Sequence, residues 1–134
     1  PEPATIEAIA GDALPVTHSP HWKRRIPRDT GAGWDFEDVR DHYLKELYGV
    51  DPVALRSRDL PRYLQLSRVV PGEMMTQAFS EWRGVHSRAG GALVWFYKDL
   101  WPAAGWGVVD SSGLPKAAYY ALKRAWRSRQ LTIT

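Results

Sequence analysis

The fold that the sequence predicts is decided by the stretch Gly91-Ala-Leu-Val-Trp-Phe-Tyr-Lys-Asp-Leu-Trp-Pro102. Its first seven residues carry no charge, and charged and aromatic residues follow at once. An uncharged apolar run of this length predicts a strand that is buried on both faces, as in a parallel sheet covered by helices. Because parallel α/β sheets bind ligands where their strands end, Trp95, Asp99 and Trp101 are candidate ligand-binding residues.

The composition is that of an ordinary globular domain, apart from its tryptophan content. The chain has 134 residues, of which 44% are hydrophobic and 25% charged, and this is enough for one core. Seven Trp residues are more than usual, and such rings line sugar-binding and base-binding sites as well as cores. The absence of Cys excludes disulfides, thiol catalysis and Cys-based zinc sites. With no signal peptide and no membrane-spanning run in view, we expect a cytoplasmic location and no membrane partner.

Two helices are predicted from capping residues. Asp35 with Asp38 predicts a helix that runs to about Tyr48. Its apolar face is predicted to contain Phe36, Val39, Tyr43 and Leu47, and its water-facing side Glu37, Asp41, Lys45 and Glu46. Asp59 predicts a second helix that continues toward Arg83, with a kink or a break at Pro71–Gly72.

The rest of the chain reads as loops around shorter helices. A short helix is predicted near residues 5–10, and Pro115 opens a final helix that runs to about Trp126. Residues 11–33 are predicted to be an irregular loop, because Pro and Gly punctuate them throughout. A loop of that length is often functional, and its His18, His21 and Trp22 are candidates to reach into a site. Two His residues are too few for a metal centre, so no metal site is predicted.

No catalytic group is evident in the sequence. Hydrolysis of a glycosidic bond needs two carboxyl groups roughly 5–9 Å apart, and none of the six Glu residues follows the buried strand. Asp99 follows that strand alone, so we expect it to accept a hydrogen bond from a ligand hydroxyl, with capping or bridging within its loop as the structural alternative. Neither a nucleophile elbow nor a glycine-rich phosphate loop is present. The residues therefore predict an aromatic-walled pocket with one carboxylate.

Three motifs together resemble a known family. They are residues 91–102, Gly105-Trp-Gly-Val-Val-Asp110 and Gly113-Leu-Pro-Lys-Ala-Ala-Tyr-Tyr-Ala-Leu-Lys-Arg124. In this order they resemble the end of the catalytic barrel of family 2 glycoside hydrolases, and within that family the β-mannosidase branch. There a strand of the form G-A-L-x-W leads to N-D-x-W-P and then to R-P-K-x-A-Y-Y at the last helix. The resemblance covers residues 60–127 well and the first 58 residues weakly.

The resemblance implies that the chain is an α/β fragment of a larger multidomain protein. Residues 1–127 would be the C-terminal part of a (β/α)8 TIM barrel, comprising helix 7, strand 8 and helix 8, with residues 11–33 as a loop on the active-site rim. Residues 128–134 would begin a following β-sandwich domain. The implied activity is that of a retaining exo-glycosidase whose two catalytic Glu residues lie before Pro1.

The implied pocket takes a β-linked mannoside or a related oligosaccharide, needs no cofactor and is completed by the remainder of the polypeptide. Trp95 matches the Trp that forms the floor of the sugar subsite, and the Trp95–Phe96 peptide bond is expected to be cis. Asp99 and Trp101 match the D-x-W of the family motif. Lys98 departs from the usual Asn, and Pro71 falls inside what should be one continuous helix.

Two other classes of function stay open from the sequence. A free-standing carbohydrate-binding module would use Trp22, Trp34 and Trp101 as a stacking platform, without catalysis. Nucleic-acid binding would use the basic clusters near residues 23–25 and 123–129, in keeping with the net charge of +3. These clusters are short and acidic residues interrupt the rest of the chain, so no nucleic-acid partner is expected.

Overall fold

The computed structural model describes residues 1–10 and 17–129. Within these ranges the chain forms six helices, namely α1 (Pro3–Ala10), α2 (Pro20–Lys23), α3 (Phe36–Tyr48), α4 (Pro52–Arg58), α5 (Leu60–Arg83) and α6 (Ala117–Ala125). None of these described helices is long and apolar enough to cross a membrane. Residues 11–16 of the predicted rim loop, and all but 128–129 of the predicted start of a β-sandwich, lie outside the described residues.

The predicted starts of α3 and α5 are confirmed by their caps, whereas the final helix starts at Ala117, two residues after the predicted Pro115. The Asp35 carboxylate accepts hydrogen bonds from the first turn of α3, and Asp38 caps back onto the Asp35 backbone N–H. Gly49 ends α3 at φ 63°, a left-handed conformation that glycine adopts without strain. Asp59 caps α5 in the predicted way, and Asp51 caps the additional helix α4. Short-range capping chemistry therefore sets the helix boundaries.

Of the two alternatives expected at Pro71–Gly72, a kink or a break, the break is wrong, because α5 continues through both residues, and the kink stays a prediction. Pro71 removes one backbone N–H from the helix ladder. The same turn packs closely against α6, where a Cβ added to Gly72 would lie 3.6 Å from the Cβ of Ala121. Tertiary packing at this crossing therefore holds the helix together where its own hydrogen bonding is weakest.

The buried face of α3 differs from the predicted one. Glu37, Arg40 and Leu44 are buried, so the prediction that Glu37 faces water is wrong. Three of the four apolar residues of the predicted inner face lie outward instead, at 36% exposure or more, namely Val39, Tyr43 and Leu47. The fourth, Phe36, is partly buried against the cluster around Trp22. The reason is that α3 meets α5 through hydrogen-bonded polar groups around Tyr63, so a hydrophobic count alone selects the wrong side.

Among the residues that the structure describes, three small apolar clusters form the core. One surrounds Trp22 and joins α1 to the segment at residues 103–104. Another surrounds Phe79 between α5 and α6, and the third surrounds Tyr63 between α3, α4 and α5. Because no cluster is large, polar links between distant parts of the chain contribute to holding them together.

Asp110 is one of these links. Its fully buried carboxylate accepts a hydrogen bond from Thr5 Oγ1 through Oδ2, at 2.6 Å. Its Oδ1 accepts hydrogen bonds from the backbone N–H groups of Ser112 and Leu114, at 3.0 and 2.9 Å. The sequence Asp110-Ser-Ser-Gly113 predicts a turn, and the structure confirms it, with the Gly113 N–H donating to the Asp110 carbonyl at 3.0 Å. The Asp110 carboxylate joins this turn to α1.

The segment 91–97 forms no strand in this chain. Leu93 is 98% exposed and Tyr97 68% exposed, so the predicted burial on both faces is not met within these 134 residues. At its end, the carbonyls of Phe96 and Tyr97 accept backbone hydrogen bonds from Val108 and Val109. Just after it, isolated bridges join Lys98 to Val109 and Val109 to Pro115. A strand needs neighbours to satisfy its backbone and to cover its side chains, and the described part of the chain supplies few.

Candidate functional site

Trp95 is the residue for which the resemblance predicts a sugar-stacking role. Its side chain is 73% exposed and borders a cavity of about 310 Å³ between α5, α6 and the loop at residues 104–108. The Trp95–Phe96 peptide bond is cis, as the resemblance implies. An exposed indole at the mouth of a cavity provides a flat apolar surface of the kind on which a sugar ring stacks.

Trp101 lies at a second cavity of about 190 Å³, which Asp99 and Trp106 also line. Its indole N–H donates a hydrogen bond to the carbonyl of Arg25 at 3.0 Å, and the ring stays 55% exposed. The loop before α3 therefore holds the edge of this ring and leaves much of its surface free.

Trp106 is a site residue that the sequence does not single out. It lines the cavity of Trp95 as well as that of Trp101, and so forms part of the wall of each. Its position between Gly105 and Gly107 is the available sequence signal, because two glycines around one aromatic residue indicate a tightly folded loop.

Asp99 is buried, with 6% of its surface exposed. Its Oδ1 accepts a hydrogen bond from the backbone N–H of Gly107 at 2.8 Å, and its Oδ2 forms an ion pair with Lys116 Nζ at 2.5 Å. Burial lowers the pKa of Lys116, and the facing Asp99 carboxylate opposes that lowering. Groups of the protein therefore contact both carboxylate oxygens. The expectation that Asp99 accepts a hydrogen bond from a ligand hydroxyl stays a prediction.

A separate polar cluster anchors the predicted rim loop to the helices. The Tyr63 hydroxyl donates to Asp41 Oδ1 at 2.8 Å and accepts from Arg40 Nη2 at 3.1 Å. His18 Nε2 lies 3.0 Å from the Tyr63 hydroxyl oxygen and 3.1 Å from Asp41 Oδ2. One loop residue thus contacts both α3 and α5.

The titration of this cluster reflects its burial. Burial raises the pKa of Tyr63 above its ordinary value, and the adjacent Asp41 carboxylate adds to the rise. For Asp41 itself, burial acts to raise the pKa, but hydrogen bonds from His18 and Tyr63 outweigh it, so the pKa falls below its ordinary value. Because Tyr63 and Asp41 are hydrogen-bonded to each other, we assign the cluster a structural role.

The remaining candidates, from the rim loop and from the predicted stacking platform, differ in how exposed they are. Trp22 is 1% exposed and donates its indole N–H to Glu37 Oε1 at 2.8 Å, so it is excluded from a surface stacking platform. Trp34 is 57% exposed and contacts His42. The side chain of His21 lies outside the description. Within residues 1–10 and 17–129, no group of three or more His, Cys, Asp or Glu could hold a metal ion.

Proteins of similar sequence are known for two-thirds of the chain. β-Mannosidase B of Aspergillus niger is 42% identical over 94 residues, which are 67% of this chain and 11% of that protein. The chain is similar to a segment of β-mannosidase B. The Aspergillus terreus protein of that name is 41% identical over the same shares, and the Thermothelomyces thermophilus protein 33% identical over 93 residues.

The similarity has a defined extent. The chain spans 11% of the length of these relatives, so it corresponds to a short part of each. No protein-family model matches the chain, and no solved structure matches it significantly. The similarity confirms the relation to β-mannosidases that the motifs indicate, and the names of the relatives are those of glycoside hydrolases.

Proposed function

We propose that this chain is the C-terminal part of the catalytic barrel of a retaining family 2 β-mannosidase. The observation that carries the proposal is the 33–42% identity to β-mannosidase B across two-thirds of the chain. In this proposal the chain supplies Trp95, Asp99 and Trp101 to a pocket for a terminal β-mannoside. The catalytic pair of Glu residues comes from the rest of the polypeptide.

The pattern of burial along residues 91–97 supports this proposal. Leu93, Trp95 and Tyr97 are exposed, while Val94 between them packs against the cluster joining α5 and α6. This alternation has the period of a β-strand, with one side covered by helices and the other open. In a (β/α)8 barrel the outer side of a strand packs on helices and the inner side fills the barrel, which is the arrangement these residues need.

The proposed role of this segment in catalysis is to bind and orient the sugar. Trp95 would present its ring to the apolar face of the pyranose, and Trp101 would close the pocket while Arg25 holds its indole edge. Such contacts accelerate hydrolysis when they hold the glycosidic bond in line with the catalytic groups. They also keep bulk water away from the reacting bond.

The test uses the full-length natural polypeptide that carries this sequence and a panel of aryl β-glycosides. We expect hydrolysis of the β-mannoside in preference to the other glycosides. Trp95→Ala should lower kcat/KM about 30- to 100-fold, as truncation of a central aromatic contact does. Trp34→Ala removes an equally flat, exposed ring and should leave kcat/KM unchanged.

Two results would overturn the proposal. One is a denatured mass of the natural polypeptide near 15.2 kDa, which would leave no room for the catalytic pair. The other is a full-length protein that hydrolyses none of the aryl β-glycosides. Sugar binding without hydrolysis would instead indicate the carbohydrate-binding module.

A further inference from the structure

We propose that Asp99 serves the pocket as a positioning residue: it closes the loop at residues 99–107 and thereby fixes the rings of Trp101 and Trp106. In this role it does not hydrogen-bond the sugar. The inference rests on the proposed function, because the pocket in question is the proposed mannoside pocket. Its structural basis is a buried clamp made by Asp99, Gly107 and Lys116.

The loop folds back onto Asp99 so closely that it requires two glycines. A Cβ on Gly107 would lie 2.5 Å from the backbone N of Asp99 and 2.6 Å from its Oδ1. A Cβ on Gly105 would lie 2.7 Å from the same Oδ1. Carbon atoms do not approach N or O atoms this closely without displacing them. The carboxylate therefore occupies the space that side chains at both glycine positions would need.

Lys116 completes the clamp from the start of α6. Its Nζ pairs with Asp99 Oδ2 and also donates a hydrogen bond to the carbonyl of Gly105 at 3.0 Å. The side chains of Asp99 and Lys116 are 4% and 14% exposed. Removing one member of such a buried pair leaves the other charge without compensation, so the pair acts as a unit.

The backbone of the loop is paired at its ends as well. The Asp99 N–H donates to the carbonyl of Val109 at 3.0 Å, and the Lys116 N–H donates to the carbonyl of Val108 at 2.9 Å. The loop between these pairs carries Trp101 and Trp106, which line the cavities described above. A shift of this loop would move both rings, and a displacement of about 1 Å at a substrate-positioning group can lower the rate about 100-fold.

The structural arm of the test uses indole N–H NMR signals in the full-length polypeptide. Asp99→Asn and Lys116→Met should each shift the signals of Trp101 and Trp106, because each variant leaves one charge unpaired. The double variant should show a smaller shift than the sum, since it removes both charges. Asp51→Asn, which keeps a capping side chain on α4, should shift neither. Unchanged indole signals in both single variants would overturn the proposal.

The kinetic arm separates positioning from direct binding. Asp99→Asn should lower kcat/KM by one common factor, about 10- to 100-fold, for an aryl β-mannoside and for each of its monodeoxy analogues. Lys116→Met should reproduce that pattern. A loss that disappears on the single analogue lacking one hydroxyl would show that Asp99 binds that hydroxyl, and the proposal would be wrong.

The two arms also keep this inference separate from the proposed function. If the wild-type polypeptide hydrolyses no aryl β-mannoside, the proposed function fails, and the indole shifts alone decide whether Asp99 positions the loop. If Asp99→Asn does not fold, as judged by near-UV circular dichroism, Lys116→Gln carries the same measurements. That variant removes the charge and keeps an N–H donor, on a shorter side chain.

Discussion

Polar side chains are buried around Tyr63, whereas apolar side chains are exposed in the segment 91–97. Around Tyr63, charged and hydroxyl groups from the rim loop, α3 and α5 are buried and hydrogen-bonded to one another. In segment 91–97, apolar side chains such as Leu93 lie in the open. The helical region therefore holds its own partners within this chain, whereas the segment has partners on one side only. The chain can therefore stabilise the region around Tyr63 by itself, whereas the segment 91–97 needs a further partner to cover its exposed side.

The largest expected effect concerns the chain in isolation. Residues 1–134 expressed alone should keep a helical far-UV signal and bind a hydrophobic dye, without a cooperative thermal transition. The reason is that exposed apolar residues at positions 93–101 favour association over a single packed state. Calorimetry and size-exclusion chromatography measure this directly. A monomer with a sharp melt would show that the segment needs no further partner.

The next effect tests whether segment 91–97 is covered in the full-length polypeptide. There, Leu93→Ser should lower the free energy of unfolding by about 2–5 kcal/mol, as expected for a buried Leu. Val53→Ser on α4, where Val53 is 61% exposed, is the matched control and should change stability by less than about 0.5 kcal/mol. Equal, small effects from both variants in denaturant titrations would contradict the barrel arrangement.

A third variant tests the self-contained region. Tyr63→Phe removes the hydroxyl shared by Arg40 and Asp41, and should destabilise α3 by about 1.5–3 kcal/mol because two charged groups lose a buried partner. Native-state hydrogen exchange of the α3 amides provides the measurement. Tyr43→Phe removes a hydroxyl from the exposed side of the same helix and serves as the control. Identical exchange in the two variants would show that the hydrogen bonds of Tyr63 do not stabilise α3.

A pH titration tests the same cluster around Tyr63, and we expect it to show a smaller change in stability. The pKa of Asp41 is below its ordinary value of 3.8 in the folded protein, so its contribution to stability is present above that value. The contribution should disappear as the pH falls through the lowered pKa. The protection factors of the α3 amides, which correct for the intrinsic exchange rate, should therefore fall below about pH 4 in the wild type. Asp41→Asn should show a flatter profile, and parallel profiles would contradict this assignment.

The smallest expected effect compares two glycines. Gly72→Ala should raise stability by about 0.5–1 kcal/mol, because its Cβ would meet α6 at an ordinary 3.6 Å and the helix interior favours Ala. Gly107→Ala should instead lower stability by about 1–3 kcal/mol, since its Cβ would overlap Asp99. Thermal melts of both variants in the full-length polypeptide check the order. A Gly107→Ala variant that melts at a higher temperature than the wild type would contradict the close contact between Gly107 and Asp99.

Features that depend on short-range chemistry could be predicted from the sequence. Asp35 and Asp59 identify the starts of α3 and α5, because a cap acts within one turn of its helix. The turn at residues 110–113 is predictable for the same reason, since the Asp110 side chain bonds the backbone two and four residues on. The motifs predict Trp95 and Trp101 as sugar-binding residues; both border cavities, and their role stays a prediction.

Features that depend on distant partners could not be predicted. Glu37 reads as a surface residue until Trp22, from another part of the chain, donates to it. The partner of Asp99 is Lys116, which lies beyond an intervening loop and turn. Trp106 joins the site because that loop folds back on itself. A hydrophobic pattern records which residues avoid water, but it does not record which polar groups satisfy each other in the interior.

The hydrogen bond from Thr5 to Asp110 has a consequence for synthesis. Its two residues are 105 positions apart, so Thr5 leaves the ribosome long before its acceptor exists. At about 5–20 residues per second, the wait is roughly 5–20 seconds. The capped helices α3, α4 and α5 emerge in that interval and can form from local contacts. We therefore expect α1 to dock after α3, α4 and α5 have formed, once the turn that receives it has been made.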